Sequence, residues 1–539
     1  FGWNLLGLRR AEGAARAIPA DVGFYMSLDL GNITCEDLNP IVWAFSREYK
    51  EKGKCALDEY FSNLDTSMEE NWGLTFTDDV KPWLGRSIAL GWRDLTLNPF
   101  GGIEDVEIIF SFEVRNQEAV DEFLSKMMAA VSEESGEQFL DEIYQGATLY
   151  SVDAPSAIDQ FTFARSDDLL IFGVGKSDVK AAIDAQRGES LADSSAFRES
   201  IAELPRGRLL TIYLDSEHIL GHLSPLFEDL ADANTFEAIR ESIGPKHYEA
   251  AGLYIVDAGI RVDLAFVLDP ANRTEETLSA YQSAGKPPHT DSLMPEGSFV
   301  YRAGSGINQG ADDLQENLAR MQGEEDFTEA MMFFTMAFGF DPFEDFLSKL
   351  DGEWAFGIVP STEGILYEEL EIPVGFVFLS ETSDPEGLKQ VSEGFGLVLE
   401  QLTVGTAEPT ISEGATFYDV FSIVDERHIL TYGVEEGYFM VGSSASALSE
   451  LFTGGPSLAD SERYSQIWQE FPKGMAPVMY IDIRGLAALI QEKIPPLVQE
   501  SVDPDAEREA YPVTYFAVAG TPMENGVAKA TMILFIETD

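Results

Sequence analysis

Two histidines, His218 and His222, stand four residues apart in DSEHILGH, with Asp215 and Glu217 beside them. On a helix that spacing turns both imidazoles to one face, where they could share a zinc ion. A closed zinc site needs three or four ligands, and the plain alternative is an exposed polar helix face. The GVGKS run, Gly173 to Ser177, lies between a strand pattern and a helix pattern, where a phosphate-binding loop would sit. Such a loop also requires glycine at position 170, which is Leu170, so Ser177 reads instead as a helix cap. Neither GRSIA nor GSSAS fits the nucleophile elbow of a serine hydrolase, and neither cysteine has a catalytic context. No catalytic residue or cofactor site is assigned, and the chain reads as something other than an enzyme.

A different chemistry is offered by TEAMMFFTMAFGF, where Met331, Met332, Phe333, Phe334, Met336 and Phe338 surround a helix on nearly every side. A helix apolar all round is normally buried, so core packing is the plain reading. The functional readings are a subunit interface or a pocket for a hydrophobic ligand, because Met-rich surfaces adapt to varied partners. Cys35 and Cys55 are the only cysteines. Joined, they fit an oxidising compartment; as buried thiols they fit the cytosol. Asn32 and Asn272 head glycosylation triplets, which are common by chance. There is no EF-hand loop or Gly-Asp nonapeptide, so any calcium would be held by irregular clusters of surface carboxylates.

The elements that must position these residues occur twice. GATLYSV (Gly146 to Val152) returns as GATFYDV (Gly414 to Val420), SLADSSAF as SLADSERY, and ELPRGRLLTIYLD as EFPKGMAPVMYID, at a spacing close to 267 residues. GLTFTDDVKPWLG and GFDPFEDFLSKLDG also pair, with Asp79 matching Asp345. Alternating runs such as DVEIIFSFEV predict strands with Val106, Ile108, Phe110, Phe112 and Val114 inward. Stripes such as Val120, Phe123, Leu124, Met127 and Met128 predict amphipathic helices between them. Strands joined by short turns and punctuated irregularly by helices argue for an α+β fold: two tandem copies of one domain, each a mainly antiparallel sheet with helices on one face. The expected divisions are residues 1–17 as the remnant of an N-terminal anchor or leader, 18–279 and 293–539 as the two repeats, and 280–292 as a linker. Asp215 and Asp482 end equivalent strands, where an N-cap is needed. The His pair is not duplicated, since Gly485 and Leu489 take its places.

Thirty-five Lys and Arg stand against 94 Asp and Glu, a formal net charge of −59 spread along 539 residues. Such a surface repels nucleic acid and anionic headgroups, and repels copies of itself unless salt or divalent cations screen it. The start, FGWNLLGL followed by Arg9 and Arg10, reads like the end of an apolar segment; an arbitrarily trimmed chain is the alternative.

Three phrases carry a family resemblance: PADVGFYMSLDL (Pro19 to Leu30), GLTFTDDVKPWLG (Gly73 to Gly85) and DDLLIFGVGKSDVKAAI (Asp167 to Ile183). With them the chain resembles the bacterial DUF3352 family, whose members typically carry an N-terminal membrane anchor and a large extracytoplasmic region. The family's function is unassigned, and its phrases are structural, so no site residues follow. What the resemblance implies is localisation outside the cytoplasm, at the cell surface or in the periplasm. The leading expectation is a non-enzymatic envelope protein that acts through contacts with other envelope proteins or with itself, as in a self-assembling surface layer. A binding module for a lipid or other hydrophobic ligand comes second, and a metal-dependent hydrolase using His218 and His222 third.

Overall fold

In a computed structural model the described residues are 13–45, 55–97, 103–136, 138–152, 162–222, 247–273, 285–401, 405–412, 415–493 and 512–537, with 278 and 282 as single positions. The chain divides between Asn272 and Arg273 into two compact units. Runs of β-branched and aromatic residues broken by turn residues form ten strands in each, among the described residues.

The first unit holds β1 (Phe24–Asp29), β2 (Leu84–Leu97), β3 (Ile103–Val114), β4 (Phe139–Tyr144), β5 (Ala147–Val152), β6 (Thr162–Ser166), β7 (Leu169–Gly173), β8 (Leu210–Asp215), β9 (His247–Val256) and β10 (Gly259–Leu268). They pair antiparallel throughout in the order β10-β9-β8-β1-β2-β3-β7-β6-β5-β4. The second unit holds β11 (Val300–Ser305), β12 (Glu353–Pro360), β13 (Val374–Glu381), β14 (Gly405–Ser412), β15 (Ala415–Ser422), β16 (His428–Glu435), β17 (Tyr438–Gly442), β18 (Ala476–Asp482), β19 (Val513–Gly520) and β20 (Val527–Ile536). Its order is β20-β19-β18-β11-β12-β13-β17-β16-β15-β14, again antiparallel. The register agrees as well as the order. Tyr25 stands between Gly91 and Tyr213, and Tyr301 between Gly357 and Tyr480. Isolated bridges join Pro19 to Ser190 and Pro295 to Ser457.

Helices on one face alone is corrected by the first unit. Ile109, Ala164, Leu169 and Ile171 pack with Val179, Ile183, Phe197 and Ile201, which lie on helices Lys176–Arg187 and Ser195–Ala202. Val114, Phe163 and Leu170 pack with Trp83 and with Val120, Phe123 and Leu124 of helix Gln117–Ser135. Alternation sends those two sets to opposite faces. The reason is visible in β7, LLIFG, whose consecutive apolar residues demand cover on both sides. In β3 the inward set differs from the expected one: Ile109 and Ser111 are fully buried, while Phe110, expected inward, is 37% exposed.

Two boundaries also differ. Gly13–Ala17 is a 3-10 turn with Ala14, Ala15 and Ala17 fully buried, so the last part of segment 1–17 belongs to the first unit's core; residues 1–12 lie outside the described residues. The expected linker is, from Gly285 onward, part of the second unit. Gly285 has φ +71°, and a Cβ there would lie 2.6 Å from the Gly520 backbone, so only glycine fits this close approach. The amides of His289 and Thr290 donate to Glu353 at 3.0 and 2.8 Å.

Between its first two strands each unit inserts a helical hairpin and then a single π-helical turn. The hairpins are Cys35–Phe45 with Ala56–Trp72, and Ile307–Gln322 with Glu324–Phe338; the turns are Phe76–Val80 and Pro342–Phe346. Asp79 and Asp345 fasten the two turns, accepting from the Thr75 and Asp341 amides at 2.8 Å each. Burial works to raise the Asp79 pKa, but hydrogen bonds from Lys126 and Thr75 outweigh it and hold the carboxyl below its ordinary value. A carboxyl lowered by folding stabilises above its unfolded pKa, near 4, and loses that contribution as pH falls through the folded value. Asp79→Asn is therefore expected to cost about 1–2 kcal/mol at pH 7 in urea denaturation, with the gap to wild type shrinking by pH 3. An equal gap at both pH values would refute the assignment.

Candidate functional site

Helix Glu324–Phe338 opens with Glu324, Glu325 and Asp326, which suit the positive end of its dipole. Its inner side is core. Phe327 is 8% exposed beside Phe343, and Phe334 and Phe338 pack on Phe340, Val391 and Val398. Its outer side is not covered: Met332 is 62%, Phe333 73% and Met336 84% exposed. Burying a side chain of this size is worth about 1.5–3 kcal/mol, so three left in water on one helix forgo a substantial stabilisation. A groove of about 410 Å³ runs along this face, lined among others by Gln315, Phe327, Met331, Met332 and Met336. The all-apolar stretch is thus half core and half surface. The first unit's hairpin also exposes large rings, Tyr60 at 64% and Trp72 at 51%. Cys35, the first residue of its first helix, is joined by a disulfide to Cys55, which precedes the second, with Cα atoms 5.5 Å apart.

His218 and His222 come together, ring centroids 4.4 Å apart, in a helical segment over residues 216–222. One ring nitrogen of each is engaged. His218 Nε2 is 2.8 Å from the Arg93 carbonyl, to which it must donate, and His222 Nδ1 is 2.7 Å from Asp94 Oδ1. The pair thus ties its helix to the middle of β2. Among the described residues no group of three or more His, Cys, Asp or Glu is arranged to hold a metal ion. Asp215 accepts from the His218 amide at 3.1 Å and Asp482 from the Gly485 amide at 2.8 Å, as caps do. Burial raises the Asp215 pKa.

Ser177 does not cap the helix after GVGKS. The cap residue is Gly175, whose amide donates to Asp178 Oδ2 at 3.1 Å. A carboxylate therefore holds the position a phosphate would need. Asn32 donates to Asp29 Oδ2 and to the Arg208 carbonyl and accepts from Arg86, so its amide is built into a polar network; the Asn272 side chain lies outside the described residues.

One grouping had no signal in the sequence, because its members are far apart in the chain. His289 Nδ1 lies 2.7 Å from Glu353 Oε2, and His289 Nε2 lies 3.2 Å from the Tyr438 hydroxyl. His289 and Glu353 border a pocket of about 540 Å³ that Lys286, Gln309 and Asp351 also line. Glu353 is largely committed to fastening the 3-10 turn Thr290–Ser292, whose first amide it accepts. In the first unit the Ala14 amide of the opening turn donates to Ser87 Oγ at 3.1 Å. The grouping is a clasp for the unit's opening turn.

The fold defines an α+β protein, each unit of which is built on a large antiparallel sheet. The chain belongs to the family described as Protein of unknown function (DUF3352), whose model matches residues 12–536. Among solved structures, crystal form I of TP0453 is similar at 8% identity, over 50% of this chain and 86% of that one, with a TM-score of 0.23. No curated protein matches. No helix among the described residues is long and apolar enough to cross a membrane.

Proposed function

We propose that this chain is a non-enzymatic, extracytoplasmic protein of the cell envelope, built from two copies of one domain, which works by protein contacts at its helical hairpins. The observation that carries the reading is the uncovered face of Met332, Phe333 and Met336. Exposed apolar patches on an otherwise charged surface mark interaction sites. The Cys35–Cys55 disulfide supports an oxidising compartment. The common strand order of the two units supports duplication, since ten strands in one permuted order seldom arise twice by chance.

A second reading, a small hydrophobic ligand, is favoured by the groove of about 410 Å³ beside the same residues. Titration with a fluorescent apolar dye tests the surface itself. Phe333→Ser/Met336→Ser is expected to weaken dye binding at least fivefold and leave the melting temperature within about 2 °C, since both residues are exposed. Dye binding untouched by the double substitution would sink the surface. Solvent extraction separates the two readings, for a near-stoichiometric lipid recovered from purified protein would favour the ligand.

A further inference from the structure

The partner's chemistry is written beside the apolar face. Between Arg320 and Lys349 the chain carries seven acidic residues and no Lys, Arg or His. On helix Glu324–Phe338 the positions Glu325, Glu329, Met332 and Met336 recur at helical spacing and form one outer stripe, acidic in its first half and apolar in its second. It runs about 16 Å along the axis. The first-turn acids also serve the helix dipole, but Glu329 lies beyond that turn and is exposed. Neither Glu325 nor Glu329 has an ion-pair partner among the described residues, so both charges face solvent beside Phe333 and Met336.

We infer that this face docks a basic amphipathic segment of another protein: a helix with apolar residues for Met332, Phe333 and Met336, and Lys or Arg for Glu325 and Glu329. The inference rests on the reading of the apolar face as a contact surface. A Met-rich groove admits side chains of varied shape, and the acidic half then selects by charge and orients the segment. A second copy of this chain is the poorer occupant, because two surfaces of a protein with net charge −59 repel each other.

The test uses the full chain and three 18-residue model peptides. Each has leucines at helical spacing, with Lys, Gln or Glu at the polar positions. The Lys peptide is expected to bind at least tenfold more tightly than the Glu peptide and several-fold more tightly than the Gln peptide. Phe333→Ser/Met336→Ser should weaken it at least tenfold, and Glu325→Gln/Glu329→Gln about fivefold, with a difference that vanishes in molar salt. Lys-peptide binding indifferent to Phe333→Ser/Met336→Ser would overturn the proposal, since it would reflect general attraction to an acidic protein. Gln and Lys peptides binding alike would overturn the charge class and leave the apolar contact surface standing. No peptide and no apolar dye binding would remove the contact surface as well. Capture on phosphatidylcholine vesicles, lost in the Phe333→Ser/Met336→Ser protein and without peptide binding, would replace the protein partner by a membrane.

Discussion

Trp83→Ala is expected to destabilise the first unit by about 3–5 kcal/mol, read from the midpoint of its denaturation in urea. Trp83 is 2% exposed and sits where helix Gln117–Ser135 meets the sheet, 5.2 Å from the Phe123 ring and 6.3 Å from Phe112. From there the aromatic contacts continue through Phe172 and Phe163 to Tyr150. Truncation would empty the helix-side end of this chain of rings, and the strands beneath cannot collapse to fill it without breaking their ladders. The indole Nε1 has no hydrogen-bond partner among the described residues, so Trp83→Phe should cost well under half as much, losing area but no bond. Lys349 provides the internal comparison, since it follows Asp345 at the distance at which Trp83 follows Asp79. It is a partly exposed lysine paired with Asp384 at 2.8 Å, and Lys349→Ala is expected to cost less than about 1 kcal/mol. The second unit fills the corresponding core with Phe346, 4.9 Å from both Phe395 and Phe439. A loss below about 1 kcal/mol for Trp83→Ala would show that this cluster is not what holds the sheet to its helix.

The strands and amphipathic helices were legible because period-2 and period-3.6 patterns are present in both units, and so are the fastenings that need one residue type. Asp79 and Asp345 are examples: each accepts an amide at the start of its π-helical turn, and any copy of the turn needs that acceptor. Periodicity was silent where a segment is apolar at every position. In LLIFG it could not show that both faces of β7 are buried, and in MMFFTMAF it could not show which side of the helix faces water. That choice is made by residues remote in sequence, Val391 and Val398 on one side and solvent on the other. The stretch 280–292 differs from its expected role for a related reason. Polar residues and prolines from 280 to 292 look unattached, yet Glu353, 64 residues beyond His289, accepts the His289 and Thr290 amides. The pair His218 and His222 shows the converse. Spacing alone puts both rings on one helix face, but the Arg93 carbonyl and the Asp94 carboxylate, which each engage one ring nitrogen, lie over a hundred residues away.

Replacing both cysteines, Cys35→Ser/Cys55→Ser, is expected to loosen the first helical hairpin by about 3 kcal/mol, the loop entropy that a bridge across 20 residues removes from the open chain. The hairpin depends on it because its other attachments are thin. Helix Cys35–Phe45 carries Pro40 in its interior, which removes one backbone hydrogen bond, and helix Ala56–Trp72 leaves Tyr60 and Trp72 in water. The second unit holds the same element differently: Gly323 alone joins its helices, and Phe327, Phe334 and Phe338 anchor it to the core. Loss of the bridge should therefore act locally. Limited proteolysis within residues 35–72 is expected to quicken about a hundredfold, while cleavage in the second hairpin stays unchanged. Equal cleavage with and without the bridge would mean that packing, not the cross-link, holds the hairpin. The same cysteines bear on location, because alkylation of native protein before any reductant distinguishes a bridge from two thiols. Two free thiols at full occupancy would count against an oxidising compartment and against the extracytoplasmic reading, whatever the hairpins bind.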